Sequence, residues 1–266
     1  MIYLLYIKQK KRIYMKSLKQ IILEAFAHNN GDNYSRYKLA RKVKLGKANL
    51  YYDVDDSNKE IHDFLRNYNC STYKINDDLT IDVDGDIDLD GYPESELPDY
   101  IQFGVVKGNF YIRKSKLVSL RGCPKEVGED FSCSGSLDLK SLEGAPQKVG
   151  CFYCYKCWDL KSLEGAPQKV SGNFNCSECE NLESLKGAPR YVDGHFSCAE
   201  CGSLTSLKGA PQKVGGDFDC EKCKKLGSLD YVPRKVGGEF DCRGTKFSKE
   251  DVRELCDVGK YIKDEY

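Results

Sequence analysis

Four pairs of cysteines share one spacing. Cys154 and Cys157, Cys176 and Cys179, Cys198 and Cys201, and Cys220 and Cys223 each form a CxxC, and 18 residues separate Cys157 from Cys176. C-x2-C-x18-C-x2-C is the spacing of a zinc site, because four thiolates complete a tetrahedral ion. The same pairs serve equally as buried thiols in a reducing compartment or as disulfides in an oxidising one. Ser136 and Thr245 take the second-cysteine place in the flanking units. The pattern therefore persists where the second sulfur is missing, which favours buried thiols acting as small apolar residues. Zinc is the alternative, and disulfides stand third. A thioredoxin-like redox pair is disfavoured, since four copies of one pair is a strange way to build one active site.

Other chemistry is sparse. The only histidines are His28, His62 and His195. His195 precedes Phe196 where other units have Asn173, Asp217 and Glu239, which reads as a variable, exposed position rather than a catalytic one. No Gly-rich nucleotide loop, Walker A loop or G-x-S-x-G is present. Asp82, Asp84 and Asp86 match the first ligand positions of an EF-hand loop, but Ile87 replaces the turn glycine and Pro93 the bidentate glutamate. The sequence points to no enzyme and no cofactor other than the zinc alternative.

The cysteines belong to a longer repeat. Leu120, Leu142, Leu163, Leu185, Leu207 and Leu229 are spaced 22, 21, 22, 22 and 22 apart, each with a proline four residues on and a valine three after that. A phenylalanine follows each valine by four residues, or by three between Val149 and Phe152, and a cysteine follows each phenylalanine by two. Phe and Cys two apart share one face of a short strand, and both belong in a core. Ser-Leu brings a second apolar residue inward, Gly-Ala-Pro turns the chain, and the Gly before Phe marks another corner. One such unit cannot bury its own apolar side, whereas stacked units form a continuous core with parallel strands. Val106, Phe110 and Ile112, and before them Val83, Ile87 and Leu89, extend the pattern to about eight coils over residues 79–245.

The unit resembles the leucine-rich repeat in its short bacterial form. Val192, Phe196, Cys198, Cys201 and Leu204 follow that family's order, and Cys157, Cys179 and Cys223 also fall at its Asn/Cys position. Runs like Leu204 to Pro211 are similar to repeat proteins encoded by bacterial viruses. The resemblance implies an α+β solenoid, and a host-cytoplasmic location if the chain is viral. It implies no activity.

The flanks read as caps. Ser248 with Asp251 is a capping box, and Val252, Leu255, Cys256, Val258, Gly259, Tyr261 and Ile262 follow as a short amphipathic helix over 246–266. Residues 1–78 read as a basic helical region, with helices around 18–26, 35–43 and 58–66. Met15 is a candidate start, which would make residues 1–14 an extension. No window is apolar for long enough to cross a membrane, and the apolar run Met1 to Ile7 precedes its charges, the reverse of a secretory signal.

The total charge of zero hides a split. Residues 1–50 hold 12 basic and 2 acidic residues, residues 51–100 hold 3 and 15, and the rest 26 and 24. Arg36, Lys38, Arg41, Lys42, Lys44 and Lys47 form a candidate nucleic-acid patch. Docking on the acidic first coils is the simpler expectation for that segment. The function expected is a non-enzymatic scaffold binding another protein. Its candidate face is made of residues flanking each Phe and Cys, namely Tyr153, Tyr155, Asn173, Asn175, His195, Ser197, Asp217, Asp219, Glu239 and Asp241. A zinc-organised module and a nucleic-acid binder are the rivals.

Overall fold

The computed structural model describes residues 58–264, nearly all within the second of two units, Met1–Ile61 and His62–Tyr266. The helices expected around 18–26 and 35–43, and the basic patch from Arg36 to Lys47, lie outside the described residues.

The repeat folds as a parallel β-solenoid. Each coil contributes two very short strands, as in Lys169–Val170 and Phe174–Asn175. The Lys-Val strands build a ten-stranded sheet and the Phe strands a nine-stranded one. Pairing between successive coils is parallel and in register, Val170 with Val192 and Phe174 with Phe196. Only one strand per coil, at Phe-x-Cys, is legible from residue alternation. The second strand has just two residues between a proline and a corner, too few to show a period.

The core runs the length of the stack. The phenylalanines from Phe110 to Phe240 are fully buried and lie one above the next, with ring centroids 5.0–5.6 Å apart. Offset stacking at this distance adds about 0.5–1.5 kcal/mol per pair to the burial of the rings. Valine, leucine and cysteine columns complete the interior, as in Val192, Leu204, Leu207 and Cys198.

The turn glycines are required twice over. Gly144, Gly165, Gly187 and Gly209 all have φ between 92° and 97°, a region that L-residues with a Cβ avoid. Their α-carbons also press on the main chain of the preceding coil, so that a Cβ on Gly165 would stand 2.6 Å from the carbonyl carbon of Leu142.

The 21-residue spacing has a local cause. The corner between Val149 and Phe152 is one residue shorter, and the amides of Gly150 and Cys151 both donate to the Glu129 carbonyl. The strands on either side keep register, Phe131 with Phe152.

At the N-terminal end a helix packs Phe64 against Tyr92 of the first coil, and the C-terminal end differs from the expected helical cap. The helix Lys59–Asn67 forms as the apolar spacing implies, but the edge of the first sheet is covered by the strand Tyr73–Ile75, antiparallel to Ile81–Val83. At the other end the capping box forms, with the Ser248 amide donating to Asp251 and the Asp251 amide to the Ser248 hydroxyl. The helix it starts is only Lys249–Arg253. The expected continuation is instead a ninth strand pair, Asp257–Val258 and Ile262–Lys263. Val258 and Ile262 lie 22 residues after Val236 and Phe240 and pair with them, so the repeat period overrides the helical spacing.

Ion pairs between adjacent coils line the surface, among them Lys107 with Asp84, Lys186 with Glu164, and Lys222 with Glu200. Exposed pairs of this kind each contribute little.

Candidate binding face

The residue before each phenylalanine sits at the corner between the two sheets. Its carbonyl is used by the preceding coil, as where the Phe174 amide donates to the His195 carbonyl at 2.8 Å. Except at Cys151, whose amide donates to the Glu129 carbonyl, its amide is taken by a side chain of the preceding coil. The Asn109 amide donates to Asp86 at 2.7 Å, Asp130 to Asn109 at 3.0 Å, and Asn173 to the Cys151 sulfur at 3.3 Å. The series continues from His195 to Asn173 at 2.8 Å, from Asp217 to His195 Nδ1 at 2.9 Å, and from Glu239 to Asp217 at 2.7 Å. These bonds form a ladder along the corner with one break, at the shortened corner where the Cys151 amide takes a main-chain carbonyl. The position varies in sequence only among side chains able to accept a hydrogen bond. Asn173, His195, Asp217 and Glu239 therefore carry a structural task that their variation alone does not reveal.

The residue after each phenylalanine lies on the outer side of the second sheet. Asn175 Oδ1 accepts from the Ser177 amide, Asp219 from the Glu221 amide, and Asp241 from the Arg243 amide. Each closes a tight turn two residues on. Ser197 donates to Asp219 at 3.1 Å. Burial raises the Asp219 carboxyl above its ordinary value, opposed by the hydrogen bonds from Glu221 and Ser197. Asp241 is only 8% exposed rather than projecting, because Arg243 folds back onto it at 2.7 Å and reaches Glu221 at 3.2 Å. Asp219, Glu221 and Asp241 bring carboxylate oxygens within 4.8 Å of one another, and the Arg243 guanidinium supplies the cation there. Tyr153 is half-buried, and burial with Cys151 beside it pushes its hydroxyl up to about 12.

Three exposed side chains stand apart from this network. Leu137 and Trp158 are each 44% exposed and Tyr155 36%. They occupy adjacent coils, tied by the Gly135 amide donating to the Tyr155 carbonyl and the Asp159 amide to the Leu137 carbonyl. They lie in the turns that follow the second-sheet strands Asp130–Ser132 and Cys151–Tyr153. Trp158 is the only tryptophan in the chain and takes the place held by Glu180, Gly202 and Lys224 in later units. That is the signal by which sequence reading would have found it.

All 14 cysteines are unpaired thiols. Cys179, Cys201 and Cys223 donate to the carbonyls of Cys154, Cys176 and Cys198 in the preceding coil at 3.1–3.2 Å. Ser136 makes the same bond to Ile112, so a hydroxyl and a thiol are interchangeable in this column. In the other column Cys176 and Cys220 donate forward to the carbonyls of Ser197 and Asp241. Burial raises the thiols of Cys154, Cys176 and Cys220 well above their ordinary value, so each remains protonated. Among the described residues no three sulfurs converge within 4.8 Å. Cys151 is the only thiol that is not buried. It alone is expected to react with a thiol reagent in the folded protein, and all fourteen after denaturation under reducing, chelator-free conditions. Thiols that stay protected after denaturation would instead point to metal.

Among the described residues no helix is long and apolar enough to cross a membrane. Comparison with protein families, with characterised proteins and with solved structures finds no match.

Proposed function

We propose that the chain is a non-enzymatic scaffold that holds a protein partner against the outer side of its second sheet. The observation that carries this reading is the exposed group Leu137, Tyr155 and Trp158 on two adjacent coils, beside the half-buried Tyr153. Large aromatic side chains are the ones that dominate protein interfaces. The corner ladder and the Asx turns fix the polar residues around them, so little side-chain freedom is lost on binding.

The leucine-rich-repeat-like assignment rests on the order and period of Val, Phe, Cys, Cys and Leu. A cytoplasmic location rests on the fourteen unpaired thiols, which suit a reducing compartment.

Charge reversal at Asp217, Asp219 and Asp241 would disturb the ladder and the Arg243 contacts as well as any partner. The aromatic group gives the cleaner test. A partner recovered by crosslinking to the wild-type protein is expected to bind the Tyr155→Ser/Trp158→Ser variant at least about tenfold more weakly, with the thermal transition unchanged. Equal affinity in a folded variant would overturn the assignment of this face.

A further inference from the structure

The first sheet turns a different surface outward. In each central coil two exposed residues lie between a buried proline and a buried valine. The residue next to the valine forms one column. Lys148 stands beside Lys169, Tyr191 beside Lys213, and Lys213 beside Lys235. Arg190 and Arg234 precede this column by one residue. Parallel strands repeat at about 4.8 Å, so the five positions make a row roughly 20 Å long.

The cations of this row are largely uncompensated. Lys148 and Lys235, at its ends, reach Glu126 at 3.9 Å and Asp257 at 3.4 Å. Among the described residues Lys169, Arg190, Lys213 and Arg234 form no ion pair, and Asp193 is the one acid just past the row. Tyr191 lies at its centre, 51% exposed. The Arg190 guanidinium lies 5.3 Å from the centroid of that ring, and its Nε donates to Gln212 at 3.0 Å. The ring is thus held in place with cations on both sides.

Like charges stacked at this interval repel one another, and burial in the core does not call for them. A polyanion laid along the row removes the repulsion and releases its own counterions. An aromatic ring flanked by cations is the arrangement that takes an unpaired base and its phosphates. We infer that the outer face of the first sheet binds single-stranded nucleic acid, with phosphates on Lys169 and Lys213 and a base stacked on Tyr191. The surface is on the other sheet from the proposed protein-binding face.

The test uses the full chain and a fluorescent oligothymidine of about twenty nucleotides, followed by anisotropy over a salt series. Binding is expected to weaken with salt by a slope of roughly 0.7 per phosphate contacted. The Lys169→Gln/Arg190→Gln/Lys213→Gln/Arg234→Gln variant is expected to bind at least about tenfold more weakly and with a slope smaller by about 1.4, for the two phosphates on Lys169 and Lys213. Tyr191→Ala should weaken binding roughly tenfold and leave the slope unchanged. All five side chains are exposed, and an unchanged thermal transition confirms that the variants fold. Three results would overturn the inference: no binding at low salt, wild-type affinity in the folded quadruple variant, or equally effective competition by polyglutamate. The second would place the contact elsewhere, and the third would indicate an acidic protein surface.

Discussion

Replacing Phe196 with alanine is expected to destabilise the folded chain by about 3–5 kcal/mol. The ring is fully buried and stacked between Phe174, at 5.3 Å, and Phe218, at 5.6 Å. Its removal loses the transfer of a large apolar side chain, leaves a cavity, and breaks two aromatic contacts. A solenoid has a further vulnerability. Each coil touches only its neighbours, so the stack is held together by a chain of nearest-neighbour interfaces. Phe196 belongs to a middle coil, and both of its interfaces weaken together. Urea denaturation followed by circular dichroism is the appropriate measurement. A large fall in midpoint is expected, along with a broader transition as the coils on either side begin to unfold separately. Phe196→Leu, which keeps most of the volume, is expected to lose much less. A loss below about 1 kcal/mol for the alanine variant would mean that the ring column is not what holds the coils together.

How much of this was readable from residues alone depends on which interactions repeat. The period, the buried Phe and Cys columns and the inward leucines were legible, because every coil makes the same demand at the same place. The Lys-Val sheet was not. Its strands are two residues long, and Lys-Val between a proline and a corner has no alternation to detect. The corner ladder was hidden for a different reason. Asp86, Asn109, Cys151, Asn173, His195 and Asp217 look unrelated by size and charge. They share only the ability to accept a hydrogen bond from the next coil. That common property makes sense only once the amide above each of them is known to lack another acceptor.

The C-terminus shows two patterns competing within one segment. Val252, Leu255, Cys256, Val258 and Ile262 fit a helical face, but Val258 and Ile262 also keep the 22-residue period. The period prevails because it offers paired main chain and a finished core, whereas a lone short helix gains little from its own hydrogen bonds. The acidic first coil was legible in part. Its alternation marks the strands, and Gly85 with φ 144° marks the break. The use of Asp82, Asp86 and Asp90 is seen only in three dimensions. They accept the amides of Val105, Asn109 and Arg113 in the next coil, which accounts for carboxylates whose sequence spacing resembles a calcium loop.

The strongest single-atom effect is expected at the turn glycines. Gly165→Ala adds one methyl group and is expected to destabilise the fold by about 3–5 kcal/mol. Two penalties combine. The residue has φ 92°, where a Cβ costs about 1–2 kcal/mol. The new carbon would also stand 2.6 Å from the Leu142 carbonyl carbon and 2.7 Å from the Glu143 nitrogen. Those atoms are main chain of the coil beneath, so they cannot rotate away as a side chain would. Relief requires two coils to separate, and their spacing is fixed by strand pairing on both sheets. Gly202→Ala provides the control. Nothing lies within 4 Å of a Cβ built there, and its backbone is not left-handed. The same methyl group at that position is expected to be neutral or to stabilise by up to about 1 kcal/mol, by restricting the unfolded chain. Thermal unfolding of the two variants side by side separates the explanations. If both lose stability equally, the effect is one of general intolerance to substitution. If Gly165→Ala alone does, close stacking of the coils is what the glycine column exists to permit.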